Sequence, residues 1–114
     1  LYRGGGKWGL SPAYDVNPVP ERGTTLKTAI SEDHGTALDV DAVVEVAPYL
    51  GIDVDAGRAL VAEMGTTIRS AWRSIAAQVG MTASDVKAVA DAMDSEQIDR
   101  AIVLGRHVVP GTIY

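Results

Sequence analysis

Between Asp53 and Gly80 large apolar residues recur at steps of three and four: Leu60, Val61, Met64, Ile68, Trp72, Ile75 and Val79. At 3.6 residues per turn these positions fall on one stripe, so the spacing predicts a long amphipathic helix. Asp53 is the expected N-cap and Gly80 the residue just past the C-terminus. Apolar residues make up 46% of the chain, but Phe is absent and aromatics amount to 5%, so a core must be built from Val, Ile, Leu, Met and Ala. Such a core suits packed helices.

Shorter helices are expected on both sides of the long one. In "LDVDAVVEVAPYLGI", Val43, Val46, Ala47 and Leu50 fall at helical spacing behind the possible caps Asp39 and Asp41. Gly51 can close that element, and Pro48 kinks it or ends it early. Thr82 with Asp85 resembles a capping arrangement for a helix carrying Val86, Val89, Ala90 and Met93. Ile98, Ile102 and Leu104 suggest a fourth helix, after which "GRHVVPGTIY" reads as an extended tail.

The first residues follow a different pattern. "LYRGGGKWGL" places strand-compatible residues on both sides of Gly4, Gly5 and Gly6, which predicts a β-hairpin. Ser11 and Pro12 end its second strand, since proline gives no N–H to a ladder. Residues 17–24, with two prolines and a glycine, read as an irregular loop. "TLKTAIS" alternates enough to suggest one more strand. The expected fold is therefore mainly α, an N-terminal β-hairpin and loop followed by a four-helix cluster. Residues 1–37 form a strand-and-loop segment, and residues 38–114 a C-terminal helical subdomain with an extended tail. Because "LYR" reads as the end of a strand begun earlier, the chain is expected to be a fragment.

At 114 residues the chain suits one small domain or part of a larger one, burying about 65% of its unfolded surface if it folds alone. A net charge of -5 and a pI near 4.8 have the wrong sign for neutralising phosphate backbones, so no direct nucleic-acid partner is expected. Cysteine is absent, in keeping with a reducing compartment. Neither an apolar run of about 20 residues nor a basic-then-apolar leader is found, so no membrane partner and a cytoplasmic location are expected.

Few residues carry an obvious chemical signature. "GGGKWG" lacks the spacing and the Ser or Thr after Lys7 that a phosphate loop requires, which leaves a hairpin turn. The acids Asp39, Asp41, Asp53 and Asp55 lack the ligand spacing of a calcium loop and fit helix capping. His34, beside Asp33, and His107 could act as acid and base, but no Ser or Cys nucleophile has a recognisable motif, so both read as surface residues. Trp72 shares its face with apolar neighbours and reads as core, and Arg69 and Arg73, four apart, as a solvated stripe. Asp15 follows a strand and a proline turn. Its carboxylate could hold a metal, cap a turn, or sit solvated in a loop.

The stretch "WGLSPAYDV", residues 8–16, resembles the W-x-L-S/T-P-A-Y-D-L/V motif of the HipA-like serine/threonine kinases, toxin partners of bacterial toxin–antitoxin pairs. "ALDVDAVVEVAPYLGID" is similar to the helix after that family's final strand, and "AGRALVAEMGTTIRSAWRSIAAQVGM" to its long helix with a central Trp. The resemblance covers most of residues 1 to about 93. It implies the C-terminal part of a kinase large lobe, in which Tyr14 and Asp15 line the ATP site and Asp15 binds Mg²⁺ as the DFG aspartate does in ordinary protein kinases. It also implies as partners the rest of the kinase chain, a protein substrate and a small DNA-binding antitoxin. The family's catalytic aspartate, second metal ligand, nucleotide-binding lysine and phosphate loop are not in these residues. The chain alone is therefore expected to be inactive, with Mg²⁺ and ATP held tightly only in the full-length parent. The alternative is a non-catalytic helical interaction domain in which Asp15 merely caps a turn.

Overall fold

A computed structural model of the chain describes residues 1–13 and 25–107. It is mainly α: helices α1 (Val40–Val46), α2 (Val54–Gln78), α3 (Ala83–Met93) and α4 (Glu96–Leu104), with short 3₁₀ turns at Ala47–Leu50 and Gly105–His107. Each helix starts on a side-chain cap, because its first N–H groups have no partner within the helix. Asp39 accepts from the Asp41 N–H at 2.9 Å and Asp53 from the Asp55 N–H at 3.2 Å. Thr82 and Asp85 close a reciprocal capping box at 3.1 and 2.9 Å, and Ser95 accepts from the Ile98 N–H at 3.4 Å.

The ends are set by glycine. Gly80, at φ 81°, lets the Met81 N–H reach the Ala76 carbonyl at 3.0 Å while its own N–H reaches that of Ala77 at 3.2 Å. Gly51, at φ 78°, closes the first 3₁₀ turn in the same manner, its own N–H and that of Ile52 bonding the carbonyls of Pro48 and Ala47. Pro48 stands where α1 gives way to that turn, as its missing N–H requires.

Helix α2 is the hub, against which the other three pack. Its packing face differs from the stripe expected of its large residues. Trp72 is buried, but Met64 is 62% exposed, Ile75 53% and Val79 70%. The buried positions are Ala56, Gly57, Gly65, Trp72 and Ala76. Small residues let backbones approach closely: a Cβ on Gly65 would lie 3.3 Å from the Ala101 Cβ, the Ile102 Cγ1 and the Ile98 carbonyl oxygen of α4. Close approach along this row turns the helix, and the larger side chains fall on a neighbouring face that stays open. In α1 and the 3₁₀ turn after it the expected stripe holds only in part: Ala47 is buried as expected, but Val43 and Leu50 are exposed while Ala42 and Val44 are buried instead.

The expected N-terminal hairpin is reduced to one antiparallel bridge, Tyr2 to Trp8, around glycines 4, 5 and 6 at φ 82°, 59° and 75°. "TLKTAIS" also forms no strand. Its end makes a single bridge, Ser31 to Gly35, with Leu26 N–H bonded to the Thr36 carbonyl at 2.9 Å. No strand occurs among the described residues. A lone two-stranded ladder has too little apolar cover to persist in water, and neither bridge gains a third strand. The start of the expected tail, Gly105–His107, is a 3₁₀ turn. The expected loop at 17–24 and the rest of the tail lie outside the described residues. Among the described residues no helix is long and apolar enough to cross a membrane.

Candidate functional site

The stretch that begins at Trp8 leads out of the N-terminal bridge. Arg3 N–H donates to the Lys7 carbonyl at 2.9 Å and Gly9 N–H to that of Leu1 at 3.0 Å, which fixes the register that pairs Tyr2 with Trp8. The two rings sit 5.1 Å apart at 52°, and the Tyr2 hydroxyl accepts from the Gly6 N–H at 3.1 Å. Beyond the bridge, Trp8 is 76% and Leu10 90% exposed. Two large apolar residues of that stretch are thus uncovered, a costly arrangement in water. Tyr14 and Asp15, the expected nucleotide and Mg²⁺ residues, lie outside the described residues. Among the described residues no group of three or more His, Cys, Asp or Glu is placed to hold a metal ion.

Asp39, Asp41, Asp53 and Asp55 go to helix ends and ion pairs. Asp39 and Asp53 cap α1 and α2, and Asp55 accepts from Arg58 at 3.2 Å. Asp41, offered by the sequence as a cap, instead takes a two-pronged contact from the Arg100 guanidinium of α4 at 2.8 to 3.2 Å. Those bonds hold the Asp41 carboxyl below its ordinary range and raise Arg100.

Arg69 and Arg73 lie toward solvent as expected, but each is held by an acid from a later segment. Arg73 Nη2 donates to Asp94 Oδ2 at 2.6 Å, and its guanidinium lies 4.3 Å from the Trp72 ring centre. Trp72 Nε1 donates to the other Asp94 oxygen at 3.0 Å, and Arg69 pairs with Asp99 at 2.7 Å. Asp94, held low by Arg73 and then by Trp72, ties the middle of α2 to the junction of α3 and α4. Nothing in the spacing of α2 could reveal this, because both acids come from a later segment.

His34 acquires a partner that the sequence did not indicate. Its Nε2 lies 2.6 Å from Glu45 Oε2 on α1, eleven residues on, and its Nδ1 lies 2.5 Å from Ser31 Oγ. Asp33, the neighbour in sequence, is not the group that meets the ring. The side chain of His107 lies outside the description.

The open face of α2 forms an apolar trough. Ile68, Ile75 and Val79, with Trp72 beneath and Val89 and Met93 of α3 at the side, line a cavity of about 310 Å³. Leu60, Glu63, Met64, Thr67 and Ile68 line another of about 500 Å³ that continues along the helix. Comparison with protein-family models, with curated proteins and with solved structures finds no match.

Proposed function

We propose that this chain is the C-terminal part of a HipA-like serine/threonine protein kinase, inactive by itself. The reading is carried by one observation, the residue run Trp8, Leu10, Ser11, Pro12, Ala13, Tyr14, Asp15 leading directly out of a glycine-turned antiparallel bridge. It is supported by the mainly helical fold that follows, with a long helix carrying a central, buried Trp72. The uncovered Trp8 and Leu10 and the open trough on α2 are the kind of surface that the remainder of a kinase lobe would bury.

On this reading Tyr14 lines the nucleotide and the Asp15 carboxylate, a hard oxygen ligand, is the group for Mg²⁺ on the ATP phosphates. The bound metal would neutralise phosphate charge. Pro12 would restrict the backbone leading to the carboxylate, and the bridge would anchor its start. The base, the second metal ligand and the phosphate cradle come from the preceding part of the parent, which phosphorylates a protein serine or threonine in the cytoplasm and is restrained by a small DNA-binding antitoxin.

The test is Mg-ATP-dependent autophosphorylation of the intact parent and of its Asp15→Ala form. Loss of transfer in the variant supports the metal role, and undiminished activity removes it. Reading the coding region ahead of Leu1 is a second check, since the proposal requires an H-x-x-x-D-x-H-x-x-N-like catalytic loop there. The trough also favours a second reading, a non-catalytic helical interaction domain, which an upstream region without that loop would support.

A further inference from the structure

Ser31, His34 and Glu45 form a side-chain relay that the kinase reading does not use. A carboxylate only accepts hydrogen bonds, so in a neutral imidazole the nitrogen facing Glu45 must carry the ring proton, and Nε2–H donates to Oε2 at 2.6 Å. Nδ1 is then a bare lone pair. The hydrogen in the 2.5 Å contact between Ser31 Oγ and His34 Nδ1 therefore belongs to the serine, whose hydroxyl donates to the ring. At the same time the His34 backbone N–H donates to Oγ at 3.3 Å, favouring negative charge as it builds there.

The local chain sets this geometry. Gly35, at φ 59°, closes a tight turn in which its N–H bonds the Ser31 carbonyl at 3.1 Å, bringing the histidine back over the serine. Helix α1 then delivers Glu45 to the far side of the ring. The His34 side chain is 23% exposed and that of Glu45 66%, and Ser31 is half-buried, so a small reagent can reach the hydroxyl.

We infer that Ser31 is an activated nucleophile, a site of covalent acylation with His34 as its base and Glu45 orienting the imidazole. The hydroxyl is within hydrogen-bond reach of the base, and the base within reach of the carboxylate, the chain of contacts that activates a nucleophilic serine. The ring is used in reverse of the serine-protease order, the hydroxyl facing Nδ1, because the serine and histidine share one turn. In the step, Ser31 Oγ bonds to the carbonyl carbon of an activated ester as its proton passes to Nδ1, and Glu45 stabilises the resulting imidazolium. Collapse of the tetrahedral adduct breaks the bond to the leaving oxygen, which takes the proton from Nδ1. The products are O-acyl-Ser31 and a free alcohol. The exposed carboxylates of Glu32 and Asp33 beside the site favour neutral esters over anionic ones.

The experiment is exposure of the 114-residue chain to p-nitrophenyl acetate, with acetylation rates resolved by peptide mass spectrometry. General-base assistance predicts Ser31 reacting at least about tenfold faster than the exposed Ser74 and Ser84. His34→Gln should abolish that excess and leave the other serines unchanged. Glu45→Gln, at a position too exposed to disturb the fold, should lower it several-fold. A Ser31 rate equal to that of Ser84, or an excess that survives His34→Gln, overturns the inference. Its failure leaves the kinase proposal untouched, since the assay contains neither nucleotide nor Asp15 variant.

Discussion

Replacing Gly65 by Val tests whether α2 packs through its small residues. In the folded chain a Cβ at this position meets the Ala101 and Ile102 side chains and the Ile98 carbonyl oxygen, each at 3.3 Å. The carbonyl belongs to the α4 backbone and cannot move without the helix. Valine adds two further carbons to that gap, and overpacking of this kind costs about 1 to 3 kcal/mol. Removing a glycine from a helix interior returns roughly 0.5 kcal/mol when the newcomer is β-branched. The net expectation is a loss of about 1.5 kcal/mol, or a fall in Tm of roughly 6 °C for a domain of this size. Urea and thermal unfolding followed by far-UV circular dichroism measure it. Met64→Val, one residue away on the open face and 62% exposed, is the comparison, expected to change stability by no more than about 0.5 kcal/mol. If Gly65→Val were neutral and Met64→Val costly, the large-residue stripe would be the packing face and the arrangement described for α2 and α4 would be wrong.

Thr82→Ala removes the hydroxyl half of the α3 capping box and should cost about 1 kcal/mol in urea unfolding. Asp94→Ala should lower the urea midpoint more than Asp94→Asn, because the amide oxygen can still accept from the Trp72 indole although the charge facing Arg73 is gone. Acid should weaken the fold through Asp41: its folded pKa lies below the ordinary 3.8, so its contribution is whole above that value and is lost as pH falls below it. Arg100→Gln, which removes the cause of the lowering, should flatten stability against pH in that window, as denaturant titrations between pH 2 and 5 would register.

The helices were legible because their signals are local. Asp53 and Gly80 bracket α2, and Thr82 with Asp85 opens α3, through groups within a few residues of one another. Which face of α2 packs was not legible. Periodicity marks where the large residues are, whereas Gly57 and Gly65 acquire meaning only when Ala47 and Ala101 arrive from other elements. Alternation in "TLKTAIS" overstated the strands, since a ladder needs a neighbour that the segment does not specify. The relay was not legible: Ser31 read as the end of a strand and His34 as a surface residue beside Asp33, and Glu45 meets the ring only once α1 forms. The stretch from Trp8 to Val16 was readable only as a resemblance, and the chemistry proposed from it rests on the Asp15 carboxylate.

The kinase proposal is best addressed by calorimetric titration of ATP into the full-length kinase that it requires and its Asp15→Ala form, each with and without Mg²⁺. A metal-holding Asp15 predicts that the variant binds Mg-ATP at least about tenfold more weakly, whereas the two proteins bind metal-free ATP alike. Equal affinity for Mg-ATP would contradict the account.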